Sequence, residues 1–202
     1  MTSKPGRKPY NDQQKKAVRA TISAAALTLF REEGYAAVSI RRLAKEAGCA
    51  PMTIYAHFDG KINILQHLWA VVLKDVFGEI HQNIEGQSDP HARLMSASHC
   101  FVDYWLYHPD HFRLVFMSGD ITRPDVASFL ANDQTVDHFR FFAKLVADAL
   151  PASLNTQPKT DALITALIGI VFCANTISDF PWTDQSRLTD LMLTSLIAPA
   201  TT

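Results

Sequence analysis

Residues 39–61 read SIRRLAKEAGCAPMTIYAHFDGK, and this stretch decides the fold. Ser39 is a good helix N-cap, because its hydroxyl can accept a hydrogen bond from a backbone N–H of the first turn. Val38 is placed to pack on Leu43 as a hydrophobic staple. Ile40, Leu43, Ala44 and Ala47 then line one face at helical spacing, with Arg41, Arg42 and Lys45 on the other. Gly48 breaks this helix, and a turn of about four residues leads into a second, very short one. Pro51 suits its first position, where the missing N–H would be unsatisfied anyway; Ala50 before it is a poor N-cap. Ile54 and Phe58, four apart, face inward. Thr53 and His57, also four apart, lie on another face, with Tyr55 between the two. A helix of about two turns does not stand alone in water. Its neighbours must hold it, and its free face must be presenting something.

Two short helices that cross closely at small residues, here Ala44 and Gly48, form a helix-turn-helix signal. The arrangement suits DNA, since a short exposed helix held on a three-helix core can enter the major groove with its N-terminal residues against base edges. Pro51 and Met52, at the tip, are the candidates for base-edge contact, including apolar contact with a thymine methyl. Thr53, Tyr55, His57 and Lys61 are candidates for backbone contact, and Arg41 and Arg42 for phosphates. The bland alternative for each is a solvated helix face; exposed arginines in particular are common.

Outward from this core, Val18, Ile22, Ala25, Ala26, Leu29 and Phe30 predict a helix over residues 17–33 with Gly34 at its C-terminal cap. Residues 1–16 carry Lys4, Arg7, Lys8, Lys15 and Lys16 among Pro and Gly and read as a flexible basic arm. Such an arm either tracks a minor groove or is simply disordered. After the motif, a long amphipathic helix is expected over 61–83, then a polar loop at 84–90. Longer, more apolar helices are expected over 91–107, 109–117, 122–150, 158–178 and 183–198. No stretch alternates with strand periodicity, so the expected fold is all-α. The domain organisation expected is an arm (1–16), a helix-turn-helix domain (17–62) and a larger helical domain (63–202).

Charge divides along the same line. Through Lys74 there are twelve Lys and Arg against five Asp and Glu; beyond it there are seven against fifteen, for a net −1 overall. A basic front and an acidic back suggest two jobs, with the front a candidate for a polyanion.

The motif resembles the TetR family of transcriptional regulators. The resemblance runs from residue 17 to about 68: FREEGY ending the first helix, then SIRRLAKEAG, then TIYAHFDGKINIL. Tyr55, His57, Phe58 and Lys61 fall on the family's Tyr-x-His-Phe-x-x-Lys pattern. Cys49 stands where a β-branched apolar residue is usual, and Ala50-Pro51-Met52 stands where Ser commonly caps the recognition helix. The HPDHFRLVF segment (108–116) and the Trp182-Thr183-Asp184 element add to the likeness. What it implies is an N-terminal DNA-binding domain and a C-terminal helical domain that dimerises and binds a small-molecule inducer. Inducer binding would then release a near-palindromic operator, making the protein a homodimeric repressor.

In the C-terminal half, Phe101, Tyr104, Trp105, Tyr107, Phe112 and Phe116 form an aromatic block. Such a block is more often core than pocket, yet inducer sites use aromatics with a few polar groups. Trp105, Phe112, Phe116 and Asn175 are the pocket candidates. The half lacks a cationic cluster, so an apolar or weakly polar inducer is favoured over a strongly anionic one. The apolar faces over 162–178 and 188–197 exceed what one small core needs and can pair with their symmetry mates as a four-helix dimer interface.

Other readings weigh less. The uncharged run of 17 residues at 162–178 is at the lower limit for a membrane span and contains Thr, Asn and Ser, so a buried or interface helix is preferred. The three cysteines are widely spaced, without CxxC or zinc spacing, and Cys49 reads as filler of the apolar turn. His99, Cys100, His108 and His111 invite a metal site, but His108 and His111 flank the start of a helix and need not share a face, so no metal or cofactor is expected. No nucleophile–base–acid set or phosphate-cradling Gly loop supports an enzyme with an aromatic, His-rich site. A helical interaction module with a basic front is the remaining rival. The N-terminus lacks the apolar region of a secretory signal, so the cytoplasm is the expected compartment.

Overall fold

The computed structural model describes residues 12–131 and 133–198, and among these every regular element is an α-helix. The chain divides into two compact units. One runs to Trp69 and takes in Ser118–Ile121; the other comprises Ala70–Met117 and the chain from Thr122 onward.

The first unit is built on α1 (Asp12–Glu33), α2 (Ile40–Glu46), α3 (Pro51–Tyr55) and the beginning of α4 (Lys61–Asn83), which continues into the second unit. α2 packs on both α1 and α3. Ile22, Leu29, Leu43, Ile54, Ile64 and Leu65 are fully buried between them, each worth about 1.5–3 kcal/mol of apolar transfer. The caps follow the sequence: the Ser39 hydroxyl accepts from Arg42 N–H at 3.2 Å, and Ala50 offers no side-chain cap to α3. Gly34 (φ 81°) and Gly48 (φ 63°) hold the left-handed conformations that let α1 and α2 end and the chain turn back. One correction concerns the N-terminus. α1 begins at Asp12, so Lys15 and Lys16 sit on the helix and not on an arm; the Asp12 carboxylate, on the first turn, favours the dipole there and lies 3.7 Å from Lys15. The rest of the expected arm, including Lys4, Arg7 and Lys8, lies outside the described residues.

In the second unit, α5 (Pro90–Tyr107) is the central element, packed against α6 (Pro109–Phe116), α8 (Asp133–Ala149), α9 (Gln157–Thr176) and α10 (Gln185–Ile197). Asp89 caps α5 by accepting from Ala92 N–H at 2.8 Å. Leu94, Ala97, Phe101, Val102, Tyr104 and Trp105 form its buried face. The single helix expected over 122–150 is two: α7 (Arg123–Leu130) and α8. A capping box between Thr122 and Asp125 starts α7, and the Ala131 N–H closes it on the carbonyls of Ala127 and Phe129. α9 is long and apolar enough to cross a membrane by length and composition, and 22% of its apolar window is buried. Its inner face, Thr160, Leu163, Leu167 and Val171, belongs to the core of this unit.

Candidate nucleic-acid interface

α3 is only five residues long, so its position is set from outside. Ile54 and Phe58 are buried and anchor it to the core. Its N-terminus begins with Ala50 in an extended conformation (φ −78°, ψ 149°), and Pro51 occupies the first turn. With the inner face fixed, Pro51, Met52, Tyr55 and Ala56 face solvent, while Thr53 and His57 are half-buried. Met52 is 75% and Tyr55 52% exposed. Two large side chains left uncovered on so short a helix are unusual for a surface that only meets water.

The far end of α3 is held by a residue that the sequence did not single out. Arg19, on α1, donates from Nη1 to the His57 carbonyl at 2.9 Å, and its guanidinium lies 4.2 Å from the centre of the Phe58 ring. A cation against the last carbonyls of a helix is favourable by charge and by hydrogen bonding. His67 stacks obliquely on Phe58, with centroids 5.6 Å apart. Burial, and then the Arg19 charge, lower its pKa, so this imidazole stays neutral. No spacing rule links positions 38 residues apart, so Arg19 carried no sequence signal.

Two of the expected phosphate contacts have other partners in the fold. Lys61 Nζ donates to the Tyr35 carbonyl at 2.8 Å and the Ala36 carbonyl at 3.3 Å, and sits 4.2 Å from the centre of the Tyr35 ring. Partial burial lowers its pKa, with Asp120 pulling the other way. It therefore ties the start of α4 to the turn between α1 and α2. Arg42 reaches Glu33 at 2.9 Å and Glu46 at 2.8 Å, bracing α2 against α1. Arg41 is exposed and makes no ion pair among the described residues. The outward set on this unit is thus Arg41, Pro51, Met52 and Tyr55, with Thr53 and His57 at its edge.

In the second unit the structure brings together three of the four pocket candidates. The Trp105 ring lies 6.0 Å from Phe112 and 5.3 Å from Phe116, and those two lie 4.9 Å apart. Trp105 and Phe112 are fully buried, whereas Phe116 remains partly exposed. Asn175, half-buried near the end of α9, makes no hydrogen bond to this stack. Trp105 Nε1 and Asn175 Nδ2 are both buried donors that find no acceptor among the described residues. Such groups cost about 1–3 kcal/mol each when left unpaired. Of the histidines considered for a metal, His99 pairs with Asp190 at 2.8 Å, and His111 Nδ1 lies within hydrogen-bond distance of the Tyr104 hydroxyl, at 2.9 Å. Among the described residues no three His, Cys, Asp or Glu side chains converge on a metal-sized site.

The model for the TetR family of bacterial regulatory proteins matches residues 22–68, the helices just described. The transcriptional activator FasR of Mycolicibacterium smegmatis is 26% identical over 110 residues, covering 54% of this chain and 50% of FasR. The transcriptional repressor KstR2 of Rhodococcus jostii is 32% identical over 87 residues, 43% of each chain. The matches thus span about half the length of these curated relatives. Over the whole fold, the transcriptional regulator FadR of Bacillus subtilis, solved with stearoyl-CoA, superposes with a TM-score of 0.73 at 16% identity, covering 89% of this chain and 97% of FadR. Residues 22–68 are thus similar to the DNA-binding domain that the TetR-family model describes, and the all-helical fold is similar to that of FadR.

Proposed function

We propose that the protein is a cytoplasmic, homodimeric transcriptional regulator, acting as a repressor, that binds a near-palindromic operator and is released by a small inducer. It acts by binding and not by catalysis. The observation that carries this reading is α3: Met52 and Tyr55 stand out from a five-residue helix whose inner side is locked by Ile54, Phe58 and Arg19. A rigid, exposed tip on a basic domain is what major-groove readout needs. Pro51 and Met52 read bases, while Arg41, Thr53, Tyr55 and His57 meet the DNA backbone. Lys61 and Arg42 contribute through the shape and charge of the head.

Dimerisation is supported by the apolar surface that one chain leaves open: Phe172 on α9 and Leu191 on α10 are large, exposed and apolar. Two copies of this helix pair make a four-helix interface. Two heads so joined read half-sites about one DNA turn apart, or modestly further. The inducer lodges against Trp105, Phe112 and Phe116 with an apolar body, and an uncharged oxygen on it accepts from Trp105 Nε1 or Asn175 Nδ2. The stearoyl-CoA in FadR has an apolar chain of the kind this stack would take. Its anionic head has no matching cationic cluster among the residues named here.

Fluorescence anisotropy with DNA from upstream of the protein's own gene tests the proposal. The expected result is sequence-selective binding that weakens steeply with salt. Equal affinity for random DNA, or no dependence on salt, would overturn it.

A further inference from the structure

The turn that joins α4 to α5 encloses a recess of about 540 Å³ that shares no lining residue with the inducer candidates. Its size is typical of small-molecule sites. Gly86, at φ 76°, lets the chain reverse there. The end of α4 and the turn supply His81, Glu85 and Gln87 to the lining, and the start of α5 supplies Arg93. Arg93 is half-buried, yet its guanidinium makes no hydrogen bond and no ion pair among the described residues. Its Nε lies buried without an acceptor, and Gln87 Oε1 lies buried without a donor. The Gln87 amide cannot turn over to mend this. Its Nε2 donates to the Asn83 carbonyl at 3.1 Å, and a carbonyl only accepts. His81 is fixed as well, with Nδ1 donating to the Phe77 carbonyl and its ring 4.5 Å from that of Phe141.

An unpaired guanidinium donor and an unpaired amide acceptor are each unfavourable in a closed surface. Here they line one recess and have opposite needs. Arg93 offers planar donors that match the two oxygens of a carboxylate. Gln87 Oε1 calls for a donor, and the exposed Glu85 carboxylate, which forms no ion pair among the described residues, adds a negative charge on the same side. The backbone has the same polarity, since α4 ends at this turn with the negative end of its dipole and α5 begins with the positive end. A simple anion would leave Gln87 Oε1 unmet and face Glu85; a simple cation would face Arg93. A zwitterion with its two charges a few bonds apart answers both sides. Because Arg93 Nε and Gln87 Oε1 are closed to water at rest, a small rotation of the two side chains accompanies binding.

We propose that the α4–α5 turn binds a free α-amino acid as its zwitterion, with the carboxylate on Arg93 and the ammonium on Gln87 Oε1 and Glu85. L-Leucine, 4-methylpentanoate and 3-methylbutylamine share one carbon skeleton and carry both charges, the negative one or the positive one. NMR titration of the full chain, following the side-chain signals of Gln87 Nε2 and Arg93 Nε, separates them. Leucine is expected to shift both signals along one saturable curve, and each singly charged analogue to bind at least ~10-fold weaker, because it lacks one of two charged hydrogen-bonding groups. Arg93→Gln should weaken leucine by at least ~10-fold and Glu85→Gln by about 3-fold. Arg93→Lys, which keeps the charge and loses the planar fork, should fall between wild type and Arg93→Gln. Arg140→Gln, at an exposed cation outside the recess, should change nothing. Thermal melts followed by circular dichroism verify that each variant keeps its fold. Absence of a saturable shift with leucine, equal binding of 4-methylpentanoate, or undiminished binding by a folded Arg93→Gln variant would each overturn the proposal. So would an Arg93 Nε signal that stays fixed throughout, as it does when Gln87 Oε1 turns to become its acceptor. DNA and inducer binding are measured separately and do not bear on these outcomes.

Discussion

Arg19→Met removes the clamp on α3 while keeping a side chain of similar length. It deletes the bond from Nη1 to the His57 carbonyl and the guanidinium 4.2 Å from the Phe58 ring centre. A hydrogen bond from a charged donor is worth about 1.5–3 kcal/mol, and an exposed cation–π contact about 0.5–1 kcal/mol. Arg19 is exposed, so screening trims both, leaving roughly 1–2 kcal/mol. That corresponds to about a 5- to 30-fold change in a local equilibrium.

Hydrogen exchange on the full chain reads this directly, because the amides of Ala56, His57 and Phe58 bond to Met52 and Ile54 carbonyls in the clamped turn. Their exchange should accelerate by about that 5- to 30-fold factor. DNA affinity should fall by no more than the same factor, equally for all sequences, since only the fraction of heads with α3 in place changes. The His67 imidazole gives an independent check. Arg19 helps hold its pKa down, so the variant should titrate at higher pH in an NMR experiment. A contact with phosphate would instead reduce the slope of log affinity against log salt by about one unit. That result, or unchanged exchange at Ala56–Phe58 together with an unmoved His67, would refute the assignment of Arg19 as a clamp.

Further outcomes follow from the same geometry. Met52→Ala should change which operator bases are preferred, while His57→Ala should weaken all sequences alike; equal behaviour in a binding-site selection would dissolve that division. Lys61→Met strips donors from the Tyr35 and Ala36 carbonyls, which should cost about 1–2 kcal/mol. It should lower the melting temperature and leave the salt slope intact, whereas a slope change at constant melting temperature would return Lys61 to the phosphate backbone. Leu191→Lys, at a position 58% exposed in one chain, should convert the dimer to monomer by light scattering without loss of helix; a wild-type monomer at micromolar concentration would refute the interface. Acid should destabilise the fold before carboxylates titrate. His67, His111 and His138 all have pKa values lowered mainly by burial. Their neutral forms therefore contribute stability that is present above about pH 6.5 and lost as pH falls through the lower folded-state values. The melting temperature should be level from pH 8 to 7 and decline below about 6.5; a flat profile to pH 5.5 would exclude this.

The parts of the structure legible in the sequence are those governed by near neighbours. Ser39, Gly34 and Gly48 act within a few residues of themselves, and the helical spacing of Ile40, Leu43 and Ala44 needs no distant partner. Even half of Arg42's engagement was available, since Glu46 is four residues on and such pairs meet across one helical turn. Its second partner, Glu33, belongs to another helix and was not. The same limit governs Lys61. The Tyr35 and Ala36 carbonyls follow Gly34 in the turn after α1, 25 or more residues before the lysine that satisfies them. A motif pattern that places Lys at this position describes the type of residue needed, not the atom it serves.

This distinction bears on what the helix-turn-helix motif is for. A motif lysine could serve DNA directly or serve the head that carries the reading helix, and both uses place the same residue in the sequence. Here the lysine amine is occupied and partly desolvated, and Arg42 is ion-paired on both sides, while Met52 and Tyr55 stand open. Cations that hold α3 and α2 in place raise affinity for every sequence alike by keeping the head assembled. Side chains at the tip can discriminate, because they alone reach a base edge. Under the proposed function, the charged part of the motif would set how strongly the head binds, and the uncharged Ala-Pro-Met tip what it binds.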